Sequence, residues 1–387
     1  MKIAFLINAI ANYGRLLSVL RACCDEGHDV SVICGGSAVL SRFAQHGNTV
    51  ADTIENDFLG QDLHLVRVRH MVEEASGESA GMAAVALSPV LEQLDPDFVI
   101  VIGDRFETLG GVLAAYYQNR CIIHFQGGEL SGTLDEGARH AITKLSHYHV
   151  PATEDARQRL LAMGEHLDTI LAVGCPGIDL LKIQGKPVCD LLVAFHPNTC
   201  DDTEQVGPLL AALDCLQWDT VFTWPNADDG SQQIMKDIRI WREQMDRPWL
   251  TMRRYMHPEG WAQAIATCRV CVGNSSAFVR EAVADGTPVV LLGNRQRDRV
   301  FAKNVLHCQL DAHQIAQAIQ HAQHFTTIPD ERYGDGHTAD RFVAALKQVR
   351  PYTQKRWHET LHTNAARDTQ AGQGTEDSRS RLSQAIQ

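Results

Sequence analysis

The feature that most constrains this fold is an alternation. Short apolar runs rich in β-branched residues, each closed by turn residues, alternate with stretches of helical period along most of the chain. The clearest run is Phe98-Val-Ile-Val-Ile102, stopped by Gly103-Asp104. A strand that is apolar on both faces is buried on both, the condition of a parallel strand with helices above and below it. The repetition therefore predicts βαβ units and parallel sheet. A first series places strands at residues 2–8, 28–34, 98–102, 121–125, 148–152 and 169–173, with helices at 13–24, 82–94 and 107–118. The run at 3–7 is too short for the apolar part of a leader peptide and reads as the first strand. Residues 73–81 are rich in Ser, Gly and Glu and read as a mobile loop.

A second series places strands at 191–195, 220–223, 269–272 and 288–292, with a closing helix at 338–349. The polar, Gly/Pro-containing gap at 182–187 separates the two. A length of 387 residues suits two α/β domains, expected at 1–181 and 188–350. From Thr363 to Gln387 no apolar period survives, and a disordered tail is expected at 363–387. The expected fold is therefore α/β: two Rossmann-like domains facing across a cleft.

The formal charge of −12 and the lack of any Lys/Arg run argue against nucleic acid as a partner. No apolar run approaches the roughly 18 residues of a spanning helix, so no membrane partner is expected. The 11 cysteines are scattered, mostly within apolar runs, as buried thiols are in a reducing cytoplasm. Cys268-Arg-Val-Cys271 is a lone CxxC without a second pair, and packing explains it better than a metal does. No metal or cofactor is expected.

In parallel sheets, ligands bind outside the carboxyl ends of the strands. In the first half those ends carry Asp104, Glu129 and the helix start Asp135-Glu136, with Arg139 and His140 one turn later. Clustered carboxylates suit acid/base chemistry, although Asp135 and Glu136 equally suit an ordinary helix first turn. In the second half the ends carry His196-Pro197, Trp224-Pro-Asn226, Gly273-Asn-Ser-Ser276 and Gly293-Asn294. Asn274, Ser275 and Ser276 open a helix and can cradle a phosphate, or simply cap it. Glu281, further along that helix, is placed to bind ribose hydroxyls. His196 as an imidazolium would donate two hydrogen bonds to a phosphate or leaving group. Arg295, Arg297 and Arg299 form a basic cluster that either neutralises a diphosphate or lies solvated on a loop. Facing Rossmann-like domains with such motifs have the layout of nucleotide-sugar enzymes of the glycosyltransferase-B type.

Nine motifs in order carry a resemblance: GDRFE (103–107), HFQGGELSGTLDEGARHAITK (124–144), PATE (151–154), VGCPGIDLL (173–181), FHPNT (195–199), PNADDGS (225–231), GNSSAFVREA (273–282), GTPVVLLGNRQ (286–296) and YGDG (333–336). With them the chain resembles the hydrolysing UDP-N-acetylglucosamine 2-epimerases, most of all the sialic-acid-pathway branch that releases N-acetylmannosamine. The resemblance implies a glycosyltransferase-B-like fold, a nucleotide-sugar substrate and a homodimer. It implies elimination of UDP to a 2-acetamidoglucal, followed by hydration with inversion at C2. Asp104 and Asp135 fall at its catalytic carboxylates and His196 at a histidine linked to diphosphate departure. Asn226, Asn274, Ser275, Ser276, Glu281 and Arg295 fall in its binding motifs, and Arg139 beside the carboxylates.

Two positions depart from the family pattern. Its first strand usually ends in GTRAEYG; here residues 8–14 read NAIANYG, so Ile10 replaces an arginine that holds the diphosphate and Asn12 a carboxylate. Arg15 is the nearby substitute. Non-sialic bacterial members carry glutamate where this chain has Gln126, which leaves Glu129 as the candidate. The changed turn keeps open another sugar or nucleotide, such as a diacetamido sugar or a GDP donor. A nucleotide-sugar-binding protein without turnover and a retaining glycosyltransferase on the same fold are the other classes.

Overall fold

The computed structural model describes residues 1–70, 75–181, 186–200, 205–325 and 328–358. Its first sheet holds β1 (Lys2–Ile7), β2 (Asp29–Cys34), β3 (Leu63–Arg67), β4 (Phe98–Ile102), β5 (Cys121–Phe125) and β6 (Tyr148–Val150), all parallel, in the order β3-β2-β1-β4-β5-β6. Among these strands lie α1 (Ile10–Asp25), α2 (Val50–Asp57), α3 (Ser76–Leu94), α4 (Phe106–Tyr117) and α5 (Asp135–Leu145), and α6 (Glu154–Ala162) follows β6. The second sheet repeats the plan with β7 (Leu191–Ala194), β8 (Thr220–Thr223), β9 (Leu250–Arg253), β10 (Val270–Gly273), β11 (Val289–Leu292) and β12 (Val305–Cys308), in the order β12-β11-β10-β7-β8-β9. Its helices are α7 (Gly207–Leu216), α8 (Ser231–Gln244), α9 (Pro258–Thr267), α10 (Ser276–Asp285), α11 (Ala312–Ala322) and the closing α12 (Thr338–Leu346).

The two-faced apolar runs explain the layering. Ile3, Phe5, Ile7, Phe98, Ile100, Ile102, Ile123 and Phe125 build one core, while Ala4, Leu6, Val99, Val101 and Ile122 build the core on the opposite face. The second sheet divides likewise: Leu191, Val193, Phe222, Val270 and Val272 on one face, Leu192, Ala194, Val221 and Cys271 on the other. Alternate side chains of a strand point to opposite faces, so each run feeds two cores. Cys268 and Cys271 sit in this packing, buried, with sulfurs 3.5 Å apart.

Three expectations change. The closing helix does not stay with the second domain: Ala339, Phe342, Val343 and Leu346 of α12 belong to the core of the first sheet, and the Phe342 ring packs at a tilt against Phe125, centroids 4.9 Å apart. Asp179 fixes it there by accepting from the amides of Thr338 and Ala339 at 2.9 and 2.8 Å, which satisfies orphan donors of the helix start. The strand expected at 169–173 reduces to a single bridge from Ile170 to His149, because Leu167–Thr169 winds into a 3-10 turn and leaves too little extended chain. The Ser/Gly/Glu stretch is helical from Ser76 onward, because α3 packs closely on α4 there and an added Cβ at Gly110 would lie 2.2 Å from the Ala80 carbonyl. Most of the 182–187 gap, residues 73 and 74 and the 363–387 tail lie outside the described residues. Among the described residues, no helix is long and apolar enough to cross a membrane.

Candidate active site between the domains

In each sheet the strand order reverses once, between β1 and β4 and between β7 and β10. Such switch points open crevices at the carboxyl ends. Asn8 and Asp104 follow β1 and β4; Phe195-His196 and Asn274-Ser275 follow β7 and β10. A cleft between the domains takes its walls from both sets. Of the residues assigned to a site from the sequence, Arg15, Asp104, Glu129, Asp135, Arg139, His196, Asn226, Ser275, Ser276, Glu281 and Arg295 line it. Asn274 does not.

Asn274 is fully buried and holds the strand end beside it: its side-chain oxygen accepts from the His196 amide and its nitrogen donates to the His196 carbonyl, both at 2.8 Å. Gly273 permits this approach, since a Cβ there would lie 1.9 Å from the Ala194 carbonyl and its φ is +139°. So β10 can press against β7, and the side chain of Asn274 is spent on the backbone rather than offered to a ligand.

His196 also differs from expectation. Burial, with Arg295 and Arg105 nearby, lowers its pKa to about 3. Its Nδ1 accepts from the Asn226 amide at 3.1 Å, so the neutral ring carries its proton on Nε2. It is a single donor, not an imidazolium. Ser275 caps α10 by accepting from Ala277 at 3.4 Å, and the Ser276 hydroxyl accepts from Arg280 at 2.7 Å. These serines stand at a ten-residue helix N-terminus, where the dipole favours an anion. Glu281, a turn deeper, accepts from Trp261 at 3.1 Å. Arg15 donates to Gln126 at 2.7 Å.

The first domain supplies the carboxylates. Arg139, almost wholly buried on α5, pairs with Asp104 and donates to the Glu129 carbonyl at 2.8 Å. Burial alone would raise Asp104, but Arg139, Arg299 and Arg15 outweigh it and hold the group well below the usual carboxylate range. Asp135 goes the other way. Burial and then the charges of Asp104 and Asp228 raise it to about 7. One carboxylate is ionised and its neighbour is raised toward neutrality, an arrangement that can serve acid/base chemistry. Glu129 is held ionised as Asp104 is: despite burial, Arg280, Arg299 and Arg139 bring it to about 2. It pairs with Arg280 at 3.1 Å and with Arg299 across the domain boundary. Glu136 instead accepts from the Ser131 amide at 2.5 Å, at the loop before α5.

Four contributors were not singled out as site residues in the sequence. Arg105 donates to Glu107 at 2.9 Å and to Asp228 at 2.7 Å, joining the domains. Asp228 also meets Arg295 at 3.6 Å. Arg280 and Gln126 meet at 2.5 Å. All four lie inside motifs quoted above, but nothing local marks which of them pair. The basic cluster divides: Arg297 is exposed on Asp298, Arg299 is buried on Glu129, and Arg295 donates to the Pro197 carbonyl at 3.0 Å.

The chain matches the family model "UDP-N-acetylglucosamine 2-epimerase" over residues 37–347. It is 31% identical to the Legionella pneumophila UDP-N,N'-diacetylbacillosamine 2-epimerase (hydrolyzing), over 91% of this chain and 97% of that protein. It is 30% identical to a Neisseria meningitidis serogroup B UDP-N-acetylglucosamine 2-epimerase, over 70% of this chain and 77% of that one. In fold it is similar to a crystal structure of UDP-GlcNAc 2-epimerase from Neisseria meningitidis bound to UDP-GlcNAc, with a TM-score of 0.73 and 16% identity over 90% of this chain and all of that one. The two parallel-sheet domains thus have the glycosyltransferase-B-like arrangement of those enzymes. With a cleft of this design and a family match over most of its length, the chain belongs to the UDP-N-acetylglucosamine 2-epimerase family.

Proposed function

We propose that the protein catalyses hydrolytic 2-epimerisation of UDP-N-acetylglucosamine, releasing UDP and N-acetylmannosamine. The observation that carries this reading is the pair Asp104 and Asp135 in one cleft with the α10 helix start, the first held ionised by its arginines and the second raised toward neutrality by burial and its neighbours' charges. Asp104 takes the C2 proton; those electrons form the C1–C2 double bond as the C1–oxygen bond breaks onto UDP. Asp135 then delivers its proton to the other face of C2 while water adds its oxygen to C1. The proton from water restores Asp135, and Asp104 gives its proton to solvent. The Nε2–H of His196, the hydroxyls of Ser275 and Ser276, Arg15 and the helix dipole receive the diphosphate. Glu281 takes the ribose hydroxyls. Glu129 holds Arg280 and Arg299 in place. Elimination and hydration change no oxidation state overall, so the scheme calls for no redox cofactor.

A second reading keeps the chemistry and changes the sugar to a UDP-linked 2,4-diacetamido sugar. The Legionella relative named for such a substrate, which matches this chain nearly end to end, supports it, as does Ile10 in the altered first turn. Incubation of pure protein with each UDP-sugar, with UDP release followed and the product identified by NMR, tests both. Release of UDP and a free sugar inverted at C2 is expected; a UDP-linked product, or no product from either, would refute the hydrolytic reading.

A further inference from the structure

Helix α5 presents Asp135, Arg139 and Thr143 at successive fourth positions, hence along one side. Each does something different. Asp135 stands at the cleft, and Arg139 grips Asp104. Thr143 reaches a histidine that the chemistry above leaves unused. Its Oγ1 lies 3.2 Å from His124 Nδ1, and His124 Nε2 lies 2.8 Å from the carbonyl oxygen of Gly103, the residue before Asp104. A carbonyl only accepts, so Nε2 carries the ring proton and Nδ1 accepts from the threonine hydroxyl. His124 is wholly buried. The ring stays neutral because burial pushes its pKa down to about 3.

The surrounding chain keeps room for this arrangement. At Gly127 an added Cβ would lie 2.9 Å from Thr143 Oγ1 and 3.0 Å from His124 Nδ1. A side chain there would press on the bond between them. Gly103 is held from the other side by its own amide, which donates to the Phe125 carbonyl at 3.0 Å.

We propose that His124, clasped between Thr143 and the Gly103 carbonyl, is a positioning residue that sets the separation of Asp104 and Asp135. The helix bearing one carboxylate and the strand end bearing the other are joined through its ring. Arg139 alone, long and rotatable, would tether Asp104 without fixing the axial position of α5. The proposal rests on the acid/base reading of those two carboxylates given above.

The test uses Thr143→Val, which removes only the hydroxyl bond, and Gly127→Ala, which crowds it without deleting a group. Both should lower kcat about tenfold or more while KM and UDP affinity stay within about twofold, because misplacing a reacting group by a fraction of an ångström costs the chemical step rather than binding. The high-pH limb of the rate profile should move to lower pH, since Asp135 loses part of the Asp104 charge that raises it. His124→Gln, whose amide keeps a donor for Gly103, should retain more kcat than His124→Ala. Unchanged kcat and an unmoved limb in Thr143→Val and Gly127→Ala, with only thermal stability altered, would overturn the proposal. Carbon-13 NMR titration of labelled aspartate follows Asp135 without turnover. A midpoint shifted in Thr143→Val supports the brace even if the wild type proves inactive on every sugar tried, and an unshifted one refutes it even if the wild type is active.

Discussion

Replacing Asp135 by asparagine should make the protein more stable and nearly inactive at the same time. In the fold, burial and the charges of Asp104 and Asp228 hold this carboxyl at about 7 rather than its ordinary 3.8. A difference of that size corresponds to about 4 kcal/mol against the ionised form. Asp135 is partly exposed at the cleft rim, and solvent screening brings the cost to about 2 kcal/mol. The sign follows from linkage. Below about pH 4 both folded and unfolded chains hold the proton, and the group contributes nothing. Between about 4 and 7 the unfolded chain releases it while the folded chain keeps it, so stability falls as pH rises; above 7 the cost is constant. Asparagine has no charge to bury. Thermal melts of Asp135→Asn should therefore exceed wild type by roughly 4 °C at pH 8 and coincide with it at pH 4. The rate should fall about 10²- to 10⁴-fold with loss of the proton donor. A lower melting point at pH 8, or the same gain at pH 4, would refute this account of Asp135.

Three further outcomes are expected. Arg280→Met leaves Glu129 buried with Arg299 as its remaining close ion partner and should cost about 3 kcal/mol in urea unfolding; an unchanged midpoint would count against that network. Long-range proton–nitrogen NMR should show His196 as the Nε2–H tautomer throughout pH 5–8, since its pKa lies at about 3; titration near the usual histidine value of about 6.5 would contradict it. Asp179→Ala removes the acceptor for the first amides of α12 and should cost about 1 kcal/mol and speed hydrogen exchange within Thr338–Leu346. Unaltered protection there would show that packing of Phe342 alone holds the helix.

What could be read from the chain follows from which interactions are local. Phe98–Ile102 declares a doubly buried strand because its own composition has no polar face to offer water. Ser275 declares a helix start because capping involves a residue two positions on. The address of α12 could not be read in this way: its apolar stripe says only that it must be buried, and Asp179, which captures it, lies far away in sequence. The same holds for protonation. Asp135 looks like any first-turn carboxylate until β4 brings Asp104, and the second domain Asp228, close enough to repel its charge. Asn274 looked like a ligand group because a helix-start asparagine often is one, and only the packing of β10 on β7 shows its bonds already used. Glu129 stood out as an acid, but two of the three arginines that hold it ionised, Arg280 and Arg299, come from the second domain.

The most direct test of the central claim is turnover in deuterated water. If Asp104 removes the C2 proton and Asp135 returns one from a solvent-exchanged site, N-acetylmannosamine, or its diacetamido counterpart, should carry one deuterium at C2, and UDP should appear in equal amount. A free sugar that keeps its original proton at C2 would contradict elimination through these two carboxylates.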